Sequence, residues 1–311
     1  MGWTSGKIGA TARWGVCVLA MAGMVVAAGV PTALADARVS PRRSTPVWEQ
    51  LPAGGDGFLV WSQNSAGQPN HFDLYARRNG GSAFRVNPPR SQGYAGGLRG
   101  SVLVYQLIKG RHSDIRFYDL HSRRAWSPPS GVNTNHYEFA PSVSGDWLLF
   151  TRQLAERWPV YRTLLFNLST HRTIRLAEVR GPHVYAAAGQ VNGDFATWQE
   201  CSDHMKCEVF RYRISTGRTL KVPNPGAFQY APSVGGDGTV YFARSGSACG
   251  ADVRILRYDG AGSPRLVRAL PRGIDVGDTY VVRNGYGREH LLYDHTSCDP
   301  FTADIYSIAL R

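Results

Sequence analysis

One phrase recurs six times along this chain, and it constrains the fold more than any other feature. Its third copy reads Phe139-Ala-Pro-Ser-Val-Ser-Gly-Asp-Trp-Leu-Leu-Phe150, and its fifth reads Tyr230-Ala-Pro-Ser-Val-Gly-Gly-Asp-Gly-Thr-Val-Tyr-Phe242. Each copy joins a short strand to a second, almost wholly apolar strand through a Gly/Asp turn. Gly and Asp tolerate the positive φ that tight hairpins need. The second strands end in Trp61, Tyr105, Phe150, Trp198, Phe242 and Tyr293, which lie 44, 45, 48, 44 and 51 positions apart. A period in this range marks a repeat architecture. Continuous apolarity over four or five residues predicts a strand buried on both faces, as in a sheet stacked between two neighbouring sheets.

A third strand follows each second one, as in Asp73-Leu-Tyr75, Arg162-Thr-Leu-Leu-Phe166 and Asp304-Ile-Tyr306, with the alternation expected nearer a rim. A turn comes next, and then a fourth, more polar strand such as Thr173-Ile-Arg-Leu176 or Thr219-Leu-Lys-Val222. Six units of four antiparallel strands predict an all-β fold, a six-bladed β-propeller. The last unit is one strand short, because the chain stops soon after Asp304-Ile-Tyr306. A spare strand stands at the other end. The stretch Thr45-Pro-Val-Trp-Glu-Gln-Leu-Pro52 is expected to complete the sixth sheet and close the ring, removing exposed edges.

Residues 1–35 have the build of a secretory signal peptide. Lys7 and Arg13 supply positive charge, an apolar run follows, and Ala33-Leu-Ala35 is a small-x-small cleavage site. The expected domains are therefore this signal, 1–35, and one propeller domain, 36–311. Export to the extracellular side follows. No later stretch is long and apolar enough to span a bilayer. Removing the signal lowers the formal net charge from +12 to +10. Lys and Arg are scattered over all the units with no basic arm, so the charge reads as a solubility device and no nucleic-acid partner is expected.

The repeat resembles that of TolB-type propellers. Pro141-Ser-Val-Ser-Gly-Asp146, Pro232-Ser-Val-Gly-Gly-Asp-Gly238, the Ser215-Thr-Gly217 turn and the phrases Asp73-Leu-Tyr75 and Asp304-Ile-Tyr306 carry the likeness. It departs from the pattern in that the Ser-Pro-Asp-Gly turn is intact nowhere. The chain also has little room before its first unit for the N-terminal domain of TolB proteins. The resemblance implies the fold; it does not imply a TolB role in envelope translocation.

Four cysteines follow the signal, each in the loop between a second and a third strand. An even number in an exported chain predicts two disulfides, Cys201–Cys207 within unit four and Cys249–Cys298 between units five and six. A metal site with His204 or His295 is the competing reading, but its Cys spacing is looser than zinc sites use. No metal and no cofactor is expected.

In a propeller these loops and the unit-to-unit connectors share one face, here termed the upper face. It collects His71, His112, His136, Tyr137, His183, Tyr185, Tyr230 and His295 as candidate binding residues, with His204, Trp158 and Phe301 beside them. Asp73, Asp114, Asp252 and Asp304 recur at third-strand starts. They are expected to hold loop backbone, with a cation site at the channel mouth as the alternative. The chain has no Gly-x-Ser-x-Gly nucleophile turn, no His-Glu-x-x-His and no complete sialidase-type Asp box. These readings favour a monomeric, non-catalytic scaffold that binds a protein or cell-envelope partner on its upper face. The alternative is a propeller lyase or glycan hydrolase with a His/Arg site at the channel mouth.

Overall fold

The computed structural model describes residues 39–43, 47–65, 68–155, 158–202, 206–246, 251–284, 286–298 and 301–310. All lie within the unit Asp36–Arg311, so the expected signal segment is outside the described residues. Every regular element among them is a β-strand. The strands form six antiparallel sheets, the blades of a six-bladed propeller. Blade one comprises Glu49–Gly55, Phe58–Ser65, Gln68–Arg78 and Phe84–Arg85. Blade two comprises Gln92–Arg99, Val102–Lys109, His112–Asp119 and Arg124–Trp126. Blade three comprises Tyr137–Ser144, Trp147–Gln153, Val160–Asn167 and Thr173–Arg180. Blade four comprises Tyr185–Asn192, Phe195–Ser202, Lys206–Arg213 and Arg218–Lys221. Blade five comprises Phe228–Val234, Val240–Ser245, Arg254–Tyr258 and Arg265–Ala269.

Blade six closes the ring. Its inner strand is split into Ile274–Asp275 and Thr279–Arg283, both paired with Glu289–Cys298, and Phe301–Ala309 follows. The outer strand comes from the N-terminal side, as expected, but from Val39–Arg43 and not from residues 45–52. Val39 pairs with Ile308 and Pro41 with Tyr306. The stretch assigned to closure in fact begins blade one, because Glu49–Gly55 pairs with Phe58–Ser65. The reason is the repeat itself. Every apolar second strand needs its own first strand just before the Gly/Asp turn, and only residues 49–55 occupy that place for blade one.

The hairpin turns have the predicted chemistry, with Gly145 at φ 54° and Gly193 at φ 57°. All six closing aromatics of the second strands, Trp61, Tyr105, Phe150, Trp198, Phe242 and Tyr293, are at most 1% exposed. Each such burial contributes roughly 2–3 kcal/mol, so these strands hold neighbouring blades together. The next residue along adds polar stitching. Ser62 Oγ, Thr151 Oγ1 and Gln199 Oε1 accept hydrogen bonds from the amides of Ala95, Ala188 and Ala231 in the following blade, each at 2.8 Å.

The inner strands share an irregularity that shapes the channel. In blades one to five, two residues drop out of the ladder: Leu51-Pro52, Gly96-Gly97, Ala140-Pro141, Gly189-Gln190 and Ala231-Pro232. In blades one, three and five the first of the two is left-handed, with φ 52° at Leu51, 49° at Ala140 and 51° at Ala231. Glycine stands there in blades two and four. A Cβ on Gly96 would lie 2.3 Å from the Pro141 carbonyl oxygen, and one on Gly189 would lie 2.2 Å from that of Pro232. The proline of one blade therefore nests against the glycine of the blade before it.

Candidate functional site

The bulges turn the inner-strand residues that precede them toward the channel axis. Near the upper face they bound a cavity of about 370 Å³ lined by residues of all six blades. Its walls carry Tyr94, Phe139, Tyr185, Phe228 and Tyr230, with Leu51-Pro52 on the blade-one side. The rings support one another. Phe139 stacks on Tyr185 at 6.1 Å, Tyr161 meets Tyr185 edge-on at 5.5 Å, and Phe228 stacks on Tyr230 at 4.7 Å. Such contacts fix ring orientation at little entropic cost.

Tyr280 lines this cavity and also a smaller one of about 210 Å³ toward the lower face. It therefore stands between the two. Its hydroxyl lies against Ser142, Leu98 and Gln190, from blades three, two and four. Gln190 completes the plug. Its Nε2 donates to Val281 O at 2.7 Å, and its Oε1 accepts from Val281 N at 2.9 Å and Val234 N at 3.3 Å. The upper cavity is thus a cup with a polar, fully bonded floor.

Among the described residues one carboxylate lines the cup, that of Asp278. It sits in the gap of the blade-six inner strand, where blades one, three and five have Pro. Beneath it is Asp294, 1% exposed, whose Oδ1 accepts the amides of Gly277 at 2.6 Å and Asp278 at 2.7 Å. Asp294 follows Tyr293, the place that Ser62, Thr151 and Gln199 hold in their blades. There it turns to its own blade's bulge. Burial raises the Asp278 carboxyl to about 6. Burial, and then the neighbouring carboxylates of Asp278 and Asp275, hold Asp294 well above the usual range. The Tyr230 hydroxyl donates to Asp275 of the next blade. The Tyr185 hydroxyl titrates above the ordinary tyrosine value because of desolvation first and the Asp278 charge second. Desolvation pushes Tyr94 up to about 12.

Of the candidates expected from sequence, Tyr185 and Tyr230 line the cup. Tyr137 stands behind the wall, 6.2 Å from Phe139 and 3.5 Å from Gln106 Nε2. The histidines are elsewhere. His112, His136 and His183 are exposed. His71 Nε2 is 3.5 Å from Asp73. His295 packs 4.8 Å from Tyr306, and its burial lowers its pKa. Trp158 is exposed; His204 lies outside the described residues, as does the side chain of Phe301. None of Asp73, Asp114, Asp252 and Asp304 lines the cup. Asp73 instead pairs with Arg85 at 2.9 Å, and Asp252 with Arg254 at 3.1 Å.

Tyr94, Phe139, Phe228 and Asp278 also line the cup and were not among the residues expected from sequence. A signal existed: Phe139-Ala-Pro, Tyr230-Ala-Pro and Tyr94-Ala-Gly each set an aromatic just ahead of a bulge. Cys201 and Cys207 are directly opposed across their strands and form the expected disulfide. Cys298 is also disulfide-bonded, and Cys249, its expected partner, lies outside the described residues. Among the described residues no group of three or more His, Cys, Asp or Glu is placed to hold a metal ion.

No family model matches the chain, and no curated protein does. Solved structures do. TolB from Acinetobacter baumannii superposes with a TM-score of 0.54 at 17% identity, over 83% of this chain and 65% of that one. A structure from Agrobacterium tumefaciens assigned as TolB gives 0.56 at 14% identity, over 86% and 92%. An oligogalacturonate lyase in complex with manganese gives 0.52 at 10% identity, over 82% and 86%. This chain spans just under two thirds of the length of the Acinetobacter protein. The likeness is one of fold: the chain is a TolB-like six-bladed propeller.

Proposed function

We propose, for this TolB-like six-bladed propeller, a non-catalytic binding role: an exported monomeric scaffold that holds a protein or cell-envelope ligand at the upper mouth of its channel. The observation that carries this reading is the cup itself. It is open at the upper face, floored by Tyr280 and walled by pre-ordered aromatic rings. Concave, largely apolar sites with a few polar groups are where ligands bind. Aromatic anchors dominate the energetics of protein recognition.

The lyase or hydrolase alternative places His and Arg at the channel mouth. Among the described residues lining the cup there is neither, and Asp278 is its single carboxylate. Export agrees with the disulfide Cys201–Cys207, since such bonds persist in oxidising compartments. The signal segment 1–35 and a Cys249–Cys298 bridge belong to the same reading.

Envelope extract passed over immobilised protein tests it. The wild type is expected to retain a defined partner. Tyr185→Ala is expected to lose it, while Trp126→Ala, on a rim strand, keeps it. Equal retention by all three would overturn the proposed mouth.

A further inference from the structure

We propose that the group captured in the cup is an organic cation, an alkylammonium or guanidinium, held between the aromatic walls and the Asp278 carboxylate. The inference rests on the cup being the binding face and names what that face recognises. Three observations carry it.

The first is the wall. Tyr94, Phe139, Tyr185, Phe228 and Tyr230 approach the cup from four consecutive blades. The faces of aromatic rings carry negative potential, so an enclosure of several rings selects cations over anions of equal size. The second is Asp278. Its side chain lines the cup and makes no hydrogen bond or ion pair with any described residue. Half-buried at the cup wall with no counter-charge, this carboxylate is partly stripped of water, and a bound cation supplies the missing partner. The third is what the lining lacks. The protein carries an excess of basic residues, yet among the described residues no Lys, Arg or His lines the cup. The overall charge would draw anions to the surface generally; the cup offers them no donor cluster and one repelling carboxylate.

The groups around Asp278 agree. Asp294 lies beneath it and Asp275 beside that, while Tyr185 faces it across the mouth. All are acidic or neutral. Burial raises the Asp278 carboxyl to about 6, still below neutral, so at pH 7 it is mostly the anion that a cation needs. The cup's size, about 370 Å³, fits one lysine- or arginine-sized group with its ordered water.

Isothermal titration of the folded protein tests this with three probes. Cadaverine represents a free amine, acetyl-Gly-Lys-Gly-amide a cationic side chain on a peptide, and valerate an anion of similar length. Saturable binding of a cationic probe with none of valerate is expected. The tighter of the two cations identifies the source of the group. Asp278→Asn keeps size and leaves the main-chain bond to Asp294 in place, and should weaken cation binding at least tenfold. Tyr185→Leu, which keeps an apolar wall but removes a π-face, should weaken it severalfold. Unchanged affinity in Asp278→Asn, valerate binding as tight as the cations, or no binding of either cation into the millimolar range would overturn the proposal. Its failure is separable from that of the binding face. If Asp278→Asn retains the envelope partner while Tyr185→Ala loses it, the mouth stands and the cation does not.

Discussion

Gln190 of blade four reaches across the channel to bond both main-chain polar groups of Val281 in blade six, donating to its carbonyl at 2.7 Å and accepting from its amide at 2.9 Å. Blades four and six are not neighbours, so this side chain ties non-adjacent sectors of the ring. It is 3% exposed and also accepts from Val234 of blade five. Like the Tyr280 hydroxyl, which reaches Ser142 and Leu98, it links blades that are not adjacent. The glutamine makes the cup floor part of the closure of the whole ring.

Replacing Gln190 with Leu keeps most of the volume but leaves the Val281 amide and carbonyl buried without partners. Each such group costs about 1–3 kcal/mol. The expected result is a loss of about 2–4 kcal/mol in urea unfolding, with Asn192→Ala, nearer the lower face, costing less than half as much. A loss under about 0.5 kcal/mol would mean that the plug is not a structural tie.

The ring closes through Val39–Arg43 on Phe301–Ala309. A variant beginning at residue 45 removes that strand and leaves blade one intact. Compared with a variant beginning at residue 36, it should melt several degrees lower and aggregate on concentration, because an unpaired edge of Ile305 to Ile308 is exposed. Equal melting temperature and solubility would show that the outer strand contributes nothing to closure.

The blades were legible in the sequence because each one repeats the same local solution. Gly/Asp turns, apolar second strands and closing aromatics are short-range signals, and all six aromatics are buried as their pattern implies. The closing strand was misread because residues 45–52 and 39–43 are both short and extended in character. Only the count of first strands separates them. The site was less legible for a different reason. Histidines in loops attract notice, whereas the cup is built from inner-strand residues whose direction is set by left-handed turns at Ala140 and Ala231 and by the close approach at Gly96 and Gly189. Asp278 was hidden because it appears in one blade alone, where the repeat breaks.

The Asp278–Asp294 pair makes a pH prediction. Both carboxyls titrate above the unfolded value of about 4, so the folded state binds protons that the unfolded state has released. The Asp278 contribution to stability is full below about pH 4 and is lost as pH rises through about 6, while that of Asp294, raised further by burial and the neighbouring carboxylates, is likewise lost as pH rises. Asp294→Asn keeps an oxygen for the Gly277 and Asp278 amides and removes the repulsion. Measured by urea unfolding, this variant should gain on the wild type by on the order of 1–2 kcal/mol between pH 4 and pH 8. A difference that stays constant across that range would contradict the assignment.

The central claim is that ligand enters the cup from the upper face. Photo-crosslinking tests it most directly, with a benzophenone side chain placed at Phe228 in the cup wall or at Asn192 in the cavity toward the lower face. After irradiation in envelope extract, the account predicts a discrete adduct from position 228 and none from position 192. An adduct from 192 with none from 228 would contradict it.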